Sequence, residues 1–434
     1  MFKVFLYDEF APEDNAMLQA LYSRSPKSVA DHVDKVRATG SGKFMSTFYV
    51  GYGHSSIADC GSTTLFIEGL SILADKAIQD WPLYSGQETS TRYVDMAKQP
   101  IIDPYQTPES QTIIKKWMDF YVSSGQPLQE HLKTVYPRQP EEEEKIYLKA
   151  IQARAFDILR AFLPAGITTQ LSWHTNLRQA HDKLDLLQYW PLPEVREIAS
   201  TMLQQLQNRY PDSFNHKYHE ASAIYQEKIM METAYYDPEQ SADFKCTCQL
   251  NKKELNKYQD LLANRPMKTN LPLWLGECGN IIFDFHLDYG SWRDIQRHRN
   301  GQCRVPLLST KLGFHPWYLE QLPADLKAQA QALIAEQTTA INDLKADPAI
   351  KQYYTALGFL VPCRVAYSLP AAVYVIELRS GKPVHPTLRQ LAHHMHQALQ
   401  QELPQLKLHS DLDPSDWDIR RGAQDIVAKD KIND

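Results

Sequence analysis

The sequence has no glycine-rich phosphate loop and no G-x-G-x-x-G fingerprint among its 17 glycines, which argues against a Rossmann-type dinucleotide domain. Cysteine is sparse: six in 434 residues do not make a disulfide framework. Cys246 and Cys248 stand close together, but one C-x-C without a second pair is a poor zinc signature, and no metal is expected. Reduced thiols in a cytoplasmic protein are the better reading. There is no basic excess either. Lys and Arg total 46 against 52 Asp and Glu, a net charge of -6, so nothing favours a nucleic-acid backbone, although local basic patches stay open. A free mononucleotide needs only a few placed arginines and suits this balance better. Long apolar runs are missing as well. Met1 to Asn15 has a short apolar stretch broken by Asp8, Glu9, Glu13 and Asp14, unlike a secretory signal. Leu357 to Leu378 carries Pro362, Arg364 and Pro370 and makes a poor membrane span. No Cys-His or Ser-His-Asp arrangement is visible locally, which leaves distant partners open.

What is present is enough sequence for two or three units, with 43% apolar residues for a core. It also repeats itself. Asp59-Cys60-Gly61 recurs as Glu277-Cys278-Gly279, about 218 residues on. Each triplet precedes an apolar run, Thr63 to Ile67 and Ile281 to Phe285. Phe162-Leu163-Pro164 is echoed by Leu360-Val361-Pro362, and Pro193-Glu194-Val195-Arg196-Glu197-Ile198-Ala199 by Pro386-Thr387-Leu388-Arg389-Gln390-Leu391-Ala392. The offset falls there to about 193, as shorter loops in a second copy would give. A tandem duplication follows, joined between Tyr235 and Leu271: residues 1–240 form the first copy and 241–434 the second. The fold class expected is α+β, a β-sheet with packed helices in each copy and a pseudo-twofold arrangement. Asp59 to Ile67 reads as the start of a strand and Gly69 to Gln79 as a helix. Glu141 to Glu144 read as the first turn of a helix running towards Leu163, where negative charge favours the helix dipole. Ala324 to Lys345 has helical apolar spacing.

Three clusters carry chemistry. Ser85-x-Gln87-Glu88-x-Ser90-x-Arg92-Tyr93 offers hydroxyls, an amide and a guanidinium. It can hold a phosphate and read a pyrimidine edge, or simply be a surface loop with Ser90 capping a helix. Arg297-His298-Arg299 offers two guanidinium forks matched to phosphate, or an exposed basic patch. Arg379 follows the apolar run Ala371 to Ile376, with Arg389 beyond it; an arginine so placed needs an anionic partner. His393, His394 and His396 lie together, but no carboxylate sits one turn before them to complete a metal site.

From Gly53-His54-Ser55-Ser56-Ile57-Ala58-Asp59-Cys60 through Tyr93 the chain resembles the core of the flavin-dependent thymidylate synthases. That family is marked by Arg-His-Arg, a spacer of about seven residues, and Ser-x-Arg. The first half keeps Ser85, Gln87 (in place of Asn), Glu88, Ser90, Arg92 and Tyr93, but has Asp80-Trp81-Pro82 where Arg-His-Arg belongs. The second half keeps Arg297-His298-Arg299 and has Leu307 where the serine belongs. Each copy lacks what the other retains. His54, Ser56, Asn176 and Arg178 match flavin-side positions of the family, and the second half has Ser368 and Pro370 at the last two. Arg379 matches a late family arginine that meets nucleotide, where the first half has Leu187. Residues 103–146 have no counterpart.

The resemblance implies reductive methylation of dUMP to dTMP with methylenetetrahydrofolate and NADPH as co-substrates and FAD as cofactor. Family sites form between subunits of a tetramer, so a fused pair is expected to build one composite site and to form a homodimer imitating that tetramer. The resemblance assigns Ser90, Arg92 and Arg297 to catalysis. It assigns Ser85, Gln87, Glu88, Tyr93 and Arg379 to substrate, and His54, Ser56, Asn176, Arg178, His298 and Arg299 to the flavin. Two alternatives stand beside it: a nucleotide- or flavin-binding protein of the same fold that does not methylate, and an enzyme acting on a related pyrimidine.

Overall fold

A computed structural model describes residues 9–23, 25, 28–91 and 94–415; Arg92 and Tyr93 lie outside the described residues. The strands are β1 (Ser62–Ser71), β2 (Ser85–Glu88), β3 (Thr168–Asn176), β4 (Phe244–Cys248), β5 (Asn280–Asp288), β6 (Gln302–Cys303) and β7 (Leu360–Ser368). The longer helices are α1 (Pro12–Tyr22), α2 (Val29–Thr39), α3 (Ile72–Gln79), α4 (Pro108–Val135), α5 (Glu144–Leu159), α6 (Leu177–Leu187), α7 (Pro193–Arg209) and α8 (Glu220–Thr233). They continue with α9 (Tyr289–Gln296), α10 (Ala324–Asp343), α11 (Leu369–Ser380) and α12 (Pro386–Glu402). The fold is α+β with two small sheets, ordered β1-β3-β2 and β4-β5-β7-β6. None of the described helices is long and apolar enough to cross a membrane.

The chain divides into two compact units, one of Met1–Leu70, Ala74–Glu88 and Thr169–Ala234, the other of Ser71–Leu73, Thr89–Thr168 and Tyr235–Asp434. In the second, alternation dictates the sheet. Ile281, Phe283, Phe285 and Leu287 on β5 are buried and stand opposite Tyr367, Val365, Cys363 and Val361 on antiparallel β7. Side chains at alternate positions share one face, so these eight form a continuous apolar surface. In the first unit β1 is more open, with Phe66 largely exposed.

A succession of elements occurs twice. A 3-10 turn ending in cysteine (Ser55–Cys60; Leu273–Cys278) leads through glycine into a long strand, then an eight-residue helix (α3; α9) and a short strand (β2; β6). Later a 3-10 turn (Arg160–Phe162; Gln352–Tyr354) precedes a nine-residue strand (β3; β7), a helix beginning at the next residue (α6; α11), and a proline-started helix of 17 residues (α7; α12).

Sequence expectations shift at the ends of elements. Gly69 does not begin a helix: it adopts φ +75° inside β1, and α3 starts at Ile72. Glu144 opens α5 while Glu141 and Glu142 stay in the turn before it. The expected helix from Ala324 ends at Asp343.

Residues 103–146 are largely α4, which starts at a capping box between Thr107 and Ser110 that satisfies helix N–H groups otherwise left orphaned. Its Trp117 and Phe120 enter the second unit's core, where Phe120 lies 4.6 Å from Phe162 and Phe162 lies 5.1 Å from Phe314 (ring centroids). Trp117 is fully buried and donates Nε1–H to Tyr354 O at 3.0 Å. Trp117→Ala therefore empties an aromatic volume and orphans a carbonyl. We expect a loss of about 3–5 kcal/mol in the second unit's urea transition; an unchanged midpoint would show that α4 is not part of this core.

Candidate functional site

In the first unit β2 pairs antiparallel with β3, setting Ser85 opposite His174 and Gln87 opposite Ser172. The approach is close. A Cβ on Gly86 would lie 1.9 Å from Ser172 O, so only glycine lets the two strands meet. Ser85 and Gln87 are exposed. Glu88 turns inward: its side chain is 2% exposed and accepts from Lys76 Nζ at 2.5 Å and Gln79 Nε2 at 3.0 Å. Lys76 also meets Asp75 at 3.0 Å with both side chains fully buried. Removing one partner of such a cluster leaves an uncompensated buried charge, a change of about 3–5 kcal/mol. Glu88 thus has a structural task beside the substrate role its motif suggests. The chain enters the second unit at Thr89, and the carbonyl of half-buried Ser90 accepts from Val94 N at 3.1 Å.

Of the positions the resemblance assigns to the flavin, His54, Ser56, Asn176 and Arg178 lie in the same first unit, while His298 and Arg299 lie in the second. His54 is exposed and its ring lies 6.3 Å from Phe48 and 6.1 Å from Tyr52; Ser56 is exposed nearby in sequence. Arg178 donates Nε–H to Asp59 at 2.7 Å and approaches Asp182 at 3.7 Å. Asp59 raises the guanidinium's already high pKa. Asn176 Oδ1 caps α6 by accepting from Gln179 N at 2.8 Å. The ion pair with Asp59 was not legible in advance, because 119 residues separate the partners.

Asp80-Trp81-Pro82 is built in, not merely lost. Trp81 Nε1–H donates to Gln179 Oε1 at 2.7 Å. Lys183, 3% exposed, donates Nζ–H to Asp80 O at 2.8 Å and lies 5.8 Å from the rings of both Trp81 and Trp190. A cation at a helix C-terminus between indole faces gains from both dipole and quadrupole. Sequence reading missed Lys183 altogether.

In the second unit α9 ends at Gln296 and Arg297-His298-Arg299 follows. His298 is buried and Arg297 exposed, its Nε 3.7 Å from Asp294. Arg299 is half-buried and donates to Arg297 O at 3.3 Å. Arg379, near the end of α11, joins them: its Nε–H donates to His298 Nε2 at 2.7 Å and an Nη2–H to Asp294 O at 2.8 Å. These hydrogen bonds go to a neutral acceptor and a helix carbonyl, while the charge of Asp294 favours the guanidinium's charged form. Burial and the adjacent Arg379 push the His298 pKa down to about 3, and burial lowers that of Arg379. Gly301 admits the next loop against β7, since a Cβ there would lie 2.2 Å from Tyr367 Cδ1. Leu307, at the missing serine's place, is buried.

Two other predicted features serve the C-terminal segment. Arg389 donates to Ser380 O and Ser415 O, each at 2.6 Å, and to Asp413 O. His393 Nε2 lies 2.9 Å from Asp411 O and His396 Nδ1 2.9 Å from Ser410 Oγ.

Residues 6–212 match the family model described as thymidylate synthase complementing protein. The chain is also similar to a UPF0159 protein of Chlamydia muridarum, 26% identical over 403 residues, which spans 79% of this chain and 75% of the relative. A UPF0159 protein of Thermoplasma acidophilum is 23% identical over 472 residues, spanning 91% and 94%. A UPF0159 protein of Chlamydia pneumoniae is 24% identical over 399 residues, spanning 79% and 75%.

Lys183 generates a pH prediction. Burial lowers its pKa from 10.5 to about 8 in the folded chain. Between these values the unfolded chain binds the extra proton, so stability rises with pH through this window. Thermal unfolding from pH 7.5 to 10.5 should show that rise in wild type relative to Lys183→Met; parallel curves would mean that Lys183 keeps an ordinary pKa.

Proposed function

We propose that the chain is an FAD-dependent enzyme of thymidylate synthase type, converting dUMP to dTMP with methylenetetrahydrofolate as carbon donor and NADPH as reductant. The family match over residues 6–212 supports the class. The observation that carries the site is the arginine group of the second unit. Arg379 is held at Nε and Nη2, with Arg297 and Arg299 in the same segment as the His298 acceptor. Such a group suits an anionic nucleotide better than a neutral one.

In this reading residues 1–240 and 241–434 are diverged copies, supported by the twice-used succession of elements. One complete ligand set draws Ser85, Gln87, Ser90, Arg92 and Tyr93 from the first copy and Arg297 and Arg379 from the second. Its support is that the losses are complementary: Asp80-Trp81-Pro82 in one copy, Leu307 in the other. Arginines at the pyrimidine oxygens stabilise the charge that develops as C5 becomes nucleophilic, an oxyanion-type role. Ser90 and Arg92 position uracil and phosphate, and holding both reactants together supplies much of the acceleration.

The first unit's residues fit a flavin. His54 lies beside the aromatic rings of Phe48 and Tyr52, Ser56 is exposed, and Arg178 is a partly exposed cation. Asn176 and Arg299 complete the set that would hold it. When bound, the flavin supplies the redox capacity that no side chain here has. The second reading, a nucleotide binder that does not methylate, is favoured by the Trp81-Lys183-Trp190 stack at the place of one Arg-His-Arg.

The first test is a visible spectrum after loading with FAD and adding dUMP, followed by turnover with methylenetetrahydrofolate and NADPH. A flavin band that shifts with dUMP, followed by dTMP formation, supports the enzyme; a shift without turnover favours the binder. Arg92→Ala and Arg297→Ala should each weaken dUMP binding by at least about tenfold; wild-type affinity in either breaks the composite set. The proposed homodimer is checked by light scattering, which should give about twice the 49.9 kDa chain mass. A monomer would remove the analogy with the tetramer.

A further inference from the structure

We infer that His298 is a positioning residue, whose imidazole aims the Arg379 guanidinium at the nucleotide instead of touching the flavin. The inference rests on the nucleotide reading above. A guanidinium has five N–H donors and no acceptor. Arg379 gives one to His298 Nε2 and one to Asp294 O, which fixes its plane at two points and leaves the other donors for a ligand. Arginine does not lose its proton, so the 2.7 Å contact requires a lone pair on His298 Nε2 and a hydrogen on Nδ1.

The surroundings hold this neutral form. His298 is 6% exposed, and its ring meets Tyr374 edge-on at 6.1 Å. Burial, Arg379, Arg299 and Arg297 oppose protonation, and Asp294 favours it. A protonated imidazole would offer no acceptor and would repel the guanidinium it now holds. The first copy supplies a second observation. At the places of His298 and Arg379 it has Trp81 and Leu187, so both members of the pair are replaced together. A flavin contact gives no reason for that coupling.

The test uses the full chain. Selective ¹⁵N-histidine labelling reads the His298 tautomer directly, and calorimetry reads dUMP affinity in His298→Leu, His298→Gln, Arg379→Ala and the His298→Leu/Arg379→Ala double variant. We expect an unprotonated Nε2 with no titration from pH 5.5 to 8. His298→Leu should weaken dUMP about tenfold, and His298→Gln, which keeps an acceptor, should restore most of the affinity. The double variant should be no worse than Arg379→Ala, and all variants should retain FAD. A hydrogen on Nε2, additive losses in the double variant, or loss of FAD with unchanged dUMP affinity in His298→Leu would overturn the positioning role. If wild type itself ignores dUMP, the nucleotide reading fails, while the tautomer and its pH response still decide whether His298 holds Arg379. The tautomer needs no variant, so a His298→Leu chain that does not fold leaves the inference falsifiable.

Discussion

In both units a cation donates to a carbonyl at the C-terminal end of the helix that follows the first long strand. Lys183 does so to Asp80 O and Arg379 to Asp294 O, each at 2.8 Å. The negative end of a helix dipole attracts such a group, but burial penalises the charge, and each unit answers that penalty differently. Around Lys183 the answer is two indole faces and near-complete exclusion of water. Around Arg379 it is a neutral imidazole, with further arginines alongside. The first arrangement closes the position and the second leaves donors for a ligand.

Much of this was legible in the sequence because it is local or periodic. The apolar run Ile281 to Phe285 falls in β5, and the Cys-Gly triplets mark the start of the recurring succession, whereas the echo of Phe162-Leu163-Pro164 by Leu360-Val361-Pro362 does not follow it, since Phe162 ends a 3-10 turn and Leu360 begins β7. The Arg-His-Arg and Ser-x-Arg motifs were readable as donor clusters from residue type alone. Partnerships across long separations were not. Asp59 with Arg178 and His298 with Arg379 depend on which strands become neighbours, and no spacing rule announces that. Nor did residues 103–146, which have no counterpart in the family, announce that α4 supplies Trp117 and Phe120 to a core.

Glu88 shows why a motif position does not settle a role. It lies between Gln87, which is exposed, and a loop rich in hydroxyls, yet strand alternation sends its carboxylate to the opposite face of β2. There it meets Lys76 and Gln79. Such a cluster fixes the start of the loop after β2, because a carboxylate withdrawn from Lys76 would leave charge stranded in the interior. Rigidity at Glu88 is thus a condition for presenting Ser85 and Gln87 on the other face, whatever they bind.

In the proposed reading of two diverged copies, the paired replacement of His298 and Arg379 by Trp81 and Leu187 follows from the same energetics. Losing only the imidazole would leave a buried guanidinium without its acceptor, and losing only the guanidinium would leave a buried ring nitrogen unpaired. Replacing both avoids either penalty once the new indole N–H has an acceptor, as Trp81 has on Gln179. Lys183, one turn before Leu187 on α6, donates instead to a carbonyl further along, that of Asp80 just past the end of α3. Its ammonium then takes its remaining stabilisation from Trp81 and Trp190. In that reading Asp80-Trp81-Pro82 looks in sequence like simple loss of a motif, while in the structure Trp81 and the carbonyl of Asp80 are tied to Gln179 and Lys183.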